Sequence, residues 1–132
     1  MSTHEKLIFV DLETTGANLV NDRITEIGIV AVDPDGCIDR WSTFVNPGRP
    51  IPEFIQGLTG ISDEMVETAP SFETLADTVR ARLQDGLFIA HNARFDYGFL
   101  HHAFVRSGHA LNSEMLCTCL LYTSPSPRDQ RG

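Results

Sequence analysis

The chain has 132 residues, the size of one domain, and 42% of them are apolar, enough to build a core and to exclude wholesale disorder. Its formal net charge of -8 excludes a broad electrostatic clamp on nucleic acid, which needs a basic surface, although bound cations can invert the charge of an acidic cleft. Three cysteines suggest no disulfide framework, and neither a membrane-length apolar run nor a basic-then-apolar leader is found, which fits a reducing cytoplasm.

Leu7, Ile8, Phe9 and Val10 form a short apolar run, so a strand is expected over 6–11. Thr14-Thr15-Gly16-Ala17 interrupts it, and 17–22 reads as loop. Residues 23–32, rich in Ile and Val, read as a second strand. Asp33-Pro34-Asp35-Gly36 is a turn signal, and 37–45 returns as a third strand, closing an antiparallel hairpin. Cys37 is expected there as a small strand residue. After the loop 46–50, short helices are expected over 52–58 and 63–66. Ser71 is placed to cap a longer helix with Phe72, Leu75, Val79 and Leu83 at helical spacing, and Gly86 ends that unit. Residues 87–90 read as a short buried strand. Asn92 is placed to cap the next helix, which runs to about 107 and stops at Gly108. A further strand is expected to begin over 114–118. Three strands, helix, strand, helix, strand is the order of an α/β domain, a mixed sheet with helices packed on it.

From Tyr122 the chain changes character, with two prolines and no apolar periodicity. Residues 119–129 match, codon by codon and in order, the translation of the adapter used in transposase-based sequencing libraries. The expectation is therefore a truncated domain over 1–118 followed by a non-native tail over 119–132, which packs against nothing substantial from Tyr122 onward. Cys117-Thr118-Cys119 is then discounted as a metal or redox pair.

Two segments carry chemistry. In Asp11-Leu12-Glu13-Thr14-Thr15-Gly16, strand alternation puts Asp11 and Glu13 on one face, with Ile8, Val10 and Leu12 on the other. Such an oxygen-rich pair suits Mg²⁺ or Mn²⁺, although spacing alone fits a solvated acidic strand end equally well. In His91-Asn92-Ala93-Arg94-Phe95-Asp96, Asp96 falls in the first helical turn, where the helix dipole favours its charge. Asp96, Phe99, Leu100 and Ala103 form one stripe, so Asp96 should face the sheet and need a partner or a metal. Phe95, Phe99 and Phe104 read as core in preference to base-stacking residues.

Phe9-Val10-Asp11-Leu12-Glu13-Thr14-Thr15-Gly16 resembles the first motif of the DEDD-type 3′→5′ exonucleases, and Ala90-His91-Asn92-Ala93-Arg94-Phe95-Asp96-Tyr97-Gly98-Phe99-Leu100 resembles their second. Between them, Ile51-Pro52-Glu53 and Leu58-Thr59-Gly60-Ile61 are similar to the connecting segment of the branch that includes the DNA polymerase III epsilon subunit. This resemblance, over 6–118, implies a ribonuclease-H-like sheet. It implies that Asp11, Glu13 and Asp96 are catalytic and hold two Mg²⁺ or Mn²⁺ ions, which activate a water and stabilise the leaving 3′ oxygen. It also implies that Thr14, Glu53 and Thr59 touch the terminal nucleotide. The implied substrate is a single-stranded or frayed DNA 3′ end, in proofreading beside a polymerase subunit or in repair trimming. An RNA 3′-end trimmer resembling ribonuclease T or oligoribonuclease, and a non-catalytic binding module, remain as alternatives. The family's third motif, with a His as general base and a fourth Asp, has no counterpart. His91 stands five residues before Asp96 but belongs to the second motif, and His101 and His102 read as helix-surface or core-edge residues. The parent protein is therefore expected to be an enzyme and this chain nearly inactive.

Overall fold

The computed structural model describes residues 6–108 and 121–123. The elements, in chain order, are β1 (Lys6–Thr14), β2 (Ile24–Val32), β3 (Ile38–Phe44), α1 (Glu53–Thr59), α2 (Asp63–Glu67), α3 (Phe72–Leu83), β4 (Gly86–Ala90), α4 (Ala93–Arg106) and β5 (Leu121–Thr123). The strands form one five-stranded sheet in the order β3-β2-β1-β4-β5. β1, β2 and β3 pair antiparallel, whereas β4 runs parallel to β1 and β5 parallel to β4. This is the mixed, ribonuclease-H-like sheet that the sequence implied.

Strand alternation sets the layers. Ile8, Val10 and Leu12 of β1 join Ile27, Ile29 and Phe88 in one buried face. α3 contributes Ala76, Val79 and Leu83 to that core, and α4 contributes Phe99, Leu100 and Phe104. The rings of Phe72 and Phe104 meet edge to face at 5.1 Å, locking the two helices together. Ser71 caps α3 as expected, its side chain accepting from the Thr74 amide at 3.2 Å. No described helix is long and apolar enough to cross a membrane.

Several local expectations give way to tertiary pairing or turn chemistry. β1 extends through the acidic segment to Thr14, because β2 supplies partners along its whole length, from Leu7↔Val32 to Thr14↔Ile24. The Thr-Thr-Gly break appears as a register shift between Glu13 and Thr14. Cys37 is exposed and lies before β3, its amide donating to Asp35 Oδ1 at 3.0 Å, so an Asx-type turn takes it out of the strand. Asn92 stands at the N-cap of α4 but makes no side-chain capping bond. The strand expected over 114–118 and the Cys117-Thr118-Cys119 stretch lie outside the described residues. β5 forms at Leu121–Thr123, where no packing was expected from Tyr122 onward, through the pairs Phe88↔Leu121, Ile89↔Tyr122 and Ala90↔Thr123. The physical reason is the edge of β4, whose peptide groups on that side have no other strand to pair with among the described residues.

β4 fits against β1 because Gly86 has no side chain. A Cβ there would stand 2.6 Å from the Lys6 carbonyl and 2.8 Å from Ile8 Cδ1. Gly86→Ala should therefore lower stability by about 1–3 kcal/mol, read as a lower urea midpoint at unchanged m-value. An unaltered midpoint would mean that the two strands separate without cost.

Candidate active site

β4 pairs with β1 only from Lys6↔Gly86 to Phe9↔Ile89, and β1 then runs on to Thr14 with β2 as its one neighbour. The chain leaves β4 through His91-Asn92 and enters α4 beside the part of β1 that runs past β4. A cleft of about 400 Å³ opens there, within the size range of small-ligand sites. Leu12, Glu13 and Thr14 form its β1 wall, α1 forms the opposite wall, and His91, Phe95 and Asp96 complete it.

Asp96 is the most unusual group in the cleft. It is only 2% exposed, and its Oδ2 has no hydrogen-bond partner among the described residues. Burial first, then the charges of Asp11 and Glu13, push its carboxyl up to about 7. Glu26, paired across the strands with Glu13, is also raised, by burial and then by Asp11. The acidic groups of β1, β2 and α4 thus share one electrostatic field. Among the described residues, no three His, Cys, Asp or Glu side chains stand close enough to enclose an ion. Asp11 is exposed and does not line the cleft, so Glu13 and Asp96 meet there while Asp11 acts on Asp96 through its charge. Like charges oppose closer approach. An orphaned carboxylate oxygen in the field of two further carboxylates is hard-oxygen chemistry of the kind Mg²⁺ or Mn²⁺ takes, but the three groups as placed do not enclose an ion.

Thr14 and Thr59 both line the cleft, but their hydroxyl protons are committed. Thr14 donates to the Gly16 carbonyl at 2.6 Å, and Thr59 to the Ile55 carbonyl at 2.9 Å. Toward a ligand, each can only accept. Glu53, the first residue of α1, is exposed and is not among the cleft residues. The α1 residues that do line it were not singled out from the sequence. Phe54 and Leu58, one helical turn apart, are 75% and 61% exposed on a helix that buries none of its residues. The available signal was an apolar i, i+4 pair in a short helix between loops. Phe99 and Phe104 are core as expected, whereas Phe95 is partly buried and borders the cleft, its ring 4.8 Å from that of Phe99.

Gly16 and Ala17, which line the cleft, belong to a self-bonded loop. Asp22 accepts from Thr15 Oγ1 at 2.8 Å and from the Asn18 amide at 3.0 Å, and its carboxylate fills the space that a Cβ on Gly16 would need. Leu19 rests on α4 at Gly98, where an added Cβ would stand 3.0 Å from Leu19 Cδ2.

The Asp96 shift makes a prediction about pH. Its folded value of about 7 lies above the ordinary 3.8, so the folded chain favours the protonated form. That contribution is fully present below about pH 4 and is lost as pH rises through about 7. In a chelator, Asp96→Asn should be more stable than the parent chain by about 2–4 kcal/mol near pH 8 and nearly equal to it near pH 4. Denaturant titrations at both pH values check this, and a difference independent of pH would contradict it.

Comparison with known proteins follows the same lines. The model of the RNase_T family, described as exonuclease, matches residues 8–125. The 3′-5′ exonuclease DinG of Bacillus subtilis is 37% identical over 108 residues, which is 81% of this chain and 12% of that protein. The PolC-type DNA polymerase III of Caldanaerobacter subterraneus is 36% identical over 117 residues, 89% of this chain and 8% of that protein. The chain thus spans about a tenth of the length of these relatives. Among solved structures, product-bound exonuclease I superposes with a TM-score of 0.79 at 14% identity, over 92% of this chain and 30% of that one. Escherichia coli exonuclease I in complex with a dT13 oligonucleotide gives 0.77 at 15% identity, over 90% and 28%. These two likenesses show a shared fold. With the family model matched over most of its length and both acidic segments meeting at one cleft, the chain belongs to the RNase_T exonuclease family.

Proposed function

We propose that the chain is the exonuclease part of a larger cytoplasmic protein, hydrolysing phosphodiester bonds at single-stranded or frayed DNA 3′ ends in proofreading or repair trimming. The observation that carries this reading is the buried, orphaned carboxylate of Asp96 at the cleft, in the field of Asp11 and Glu13. DNA is favoured over RNA because the relatives are named as DinG and PolC-type polymerase III, and a fold neighbour is described with a thymidine oligonucleotide. A polymerase subunit is the fitting partner for the same reason.

Asp11, Glu13 and Asp96 would hold two divalent ions, Mg²⁺ or Mn²⁺, whose chemistry is to polarise the scissile phosphate and lower the pKa of a water. The chain's own residues do the rest. Phe54 and Leu58 offer an exposed apolar wall on which the terminal base can stack, with Phe95 across the cleft. Thr14 Oγ1, its proton given to Gly16, accepts from a terminal 3′ hydroxyl. Thr59, bonded within its own helix and accepting from the Ile61 amide at 3.2 Å, shapes the end of α1 and keeps one acceptor position for a sugar hydroxyl. Glu53, exposed at the start of α1, would reach the nucleotide only from the rim.

The general base is the missing part. His91 lines the cleft, yet in the second motif it is not the base, and no other histidine–aspartate pair follows it at that spacing. Lacking a general base typically costs about 10²–10⁴ in rate. The 132-residue chain should therefore be nearly silent on a single-stranded DNA oligomer with Mg²⁺ or Mn²⁺. A version extended by its genomic reading frame beyond Thr118 should trim it from the 3′ end. Asp11→Ala should abolish that activity, and matched RNA should be cut more slowly. Robust metal-dependent trimming by the present chain would make His91 the base and remove the need for a further motif. In the extended protein, Phe54→Ala should raise KM for DNA about tenfold with little change in kcat. A loss confined to kcat would take Phe54 out of substrate binding.

A further inference from the structure

A second recess, of about 240 Å³, lies behind the cleft loop, between Arg23, the 46–48 turn, the start of α3 and Arg106 at the end of α4. Its two guanidinium groups stand out in a chain of net charge -8. Arg80 and Arg82 are each paired, with Asp77 and Asp39, but neither Arg23 nor Arg106 has an ion-pair partner among the described residues. Glu73 borders the same recess without pairing with either. Arg23 is held in place by its own loop, Nη1 donating to the carbonyls of Val20 at 3.0 Å and Asp22 at 3.1 Å. Its remaining donors are left for something else. Although Arg106 is exposed overall, local burial and then the Arg23 charge lower its pKa, as for two like charges near enough to repel. The N-terminal end of α3, a 12-residue helix, adds its positive dipole to the same space.

We propose that Arg23 and Arg106 grip a backbone phosphate of the same strand whose 3′ end enters the cleft, a few nucleotides upstream of it. The assignment rests on the exonuclease reading. An anion between the two guanidinium groups turns their repulsion into paired, charge-assisted hydrogen bonds. Position selects the strand's own phosphate. Ile24, next to Arg23, pairs with Thr14 of the cleft, and the Thr15 amide donates to the Arg23 carbonyl at 2.8 Å. α4 carries Asp96 in its first turn and Arg106 as its last residue. At 1.5 Å per residue these lie about 15 Å apart, which about four stacked nucleotides would span.

The test is amide NMR on the 132-residue chain with thymidine oligomers of about three and about ten nucleotides, and with inorganic phosphate. The longer oligomer should shift the amides of Asn46, Gly48 and 71–73 as well as those around Asp96, and the shorter only the latter. Arg106→Gln should weaken the longer oligomer about tenfold and lower its salt slope by about 0.7, leaving the shorter unchanged, while Arg106→Lys keeps most of the affinity. Equal losses for both lengths, or none, would overturn the proposal. So would shifts at the recess with inorganic phosphate but not with the longer oligomer, which would make it a free-anion site. If neither oligomer moves the amides around Asp96, the exonuclease reading itself fails and takes this proposal with it.

Discussion

The site depends on one mismatch of length: β1 outruns β4. The two strands pair over four residues and part after Phe9↔Ile89, so the last five residues of β1 run beyond the β4 ladder. Continued pairing would have closed this edge with backbone. Instead α4 begins beside the end of β1 and brings a buried carboxylate into the field of the two that β1 carries. The apolar face of β1, held by Ile8, Val10 and Leu12, fixes the strand to the core, and alternation then leaves Asp11 and Glu13 no choice of side.

The resulting acidity is a strain on the free chain. A carboxyl that is 2% exposed, lacks a hydrogen bond for one oxygen and faces two neighbouring charges is destabilising when ionised. Helix packing holds it there regardless, through Phe99, Leu100 and Phe104 further along the same face of α4. Stability is thus given up where a cation would restore it, the usual relation between a buried acidic cluster and its chemistry.

Most of this was legible in the sequence because two periodicities carry it. Alternation around Asp11 and Glu13 gave the strand and its faces, and the i, i+3, i+4 stripe from Asp96 gave the helix and its inward turn. What was not legible depends on contacts distant in sequence. The extension of β1 to Thr14 needs β2, and the exposure of Cys37 follows from competition between an Asx turn and a hairpin. Phe54 and Leu58 read as ordinary apolar residues until α1 proves to bury nothing, and only the structure shows that the Thr59 hydroxyl gives its proton to its own helix. Asp22 gave no signal at all, yet it fills the space beside Gly16 and holds the cleft loop together.

β4 has a consequence for the molecule in solution. Gly86-Leu87-Phe88-Ile89-Ala90 is short, apolar and free of charge, and on its outer side only Phe88, Ile89 and Ala90 are paired, with three residues of β5. A strand of this composition at a sheet boundary invites addition of an extended segment from another molecule. The short β5 is its only cover among the described residues, so the sheet boundary nearest the cleft is also where self-association would nucleate.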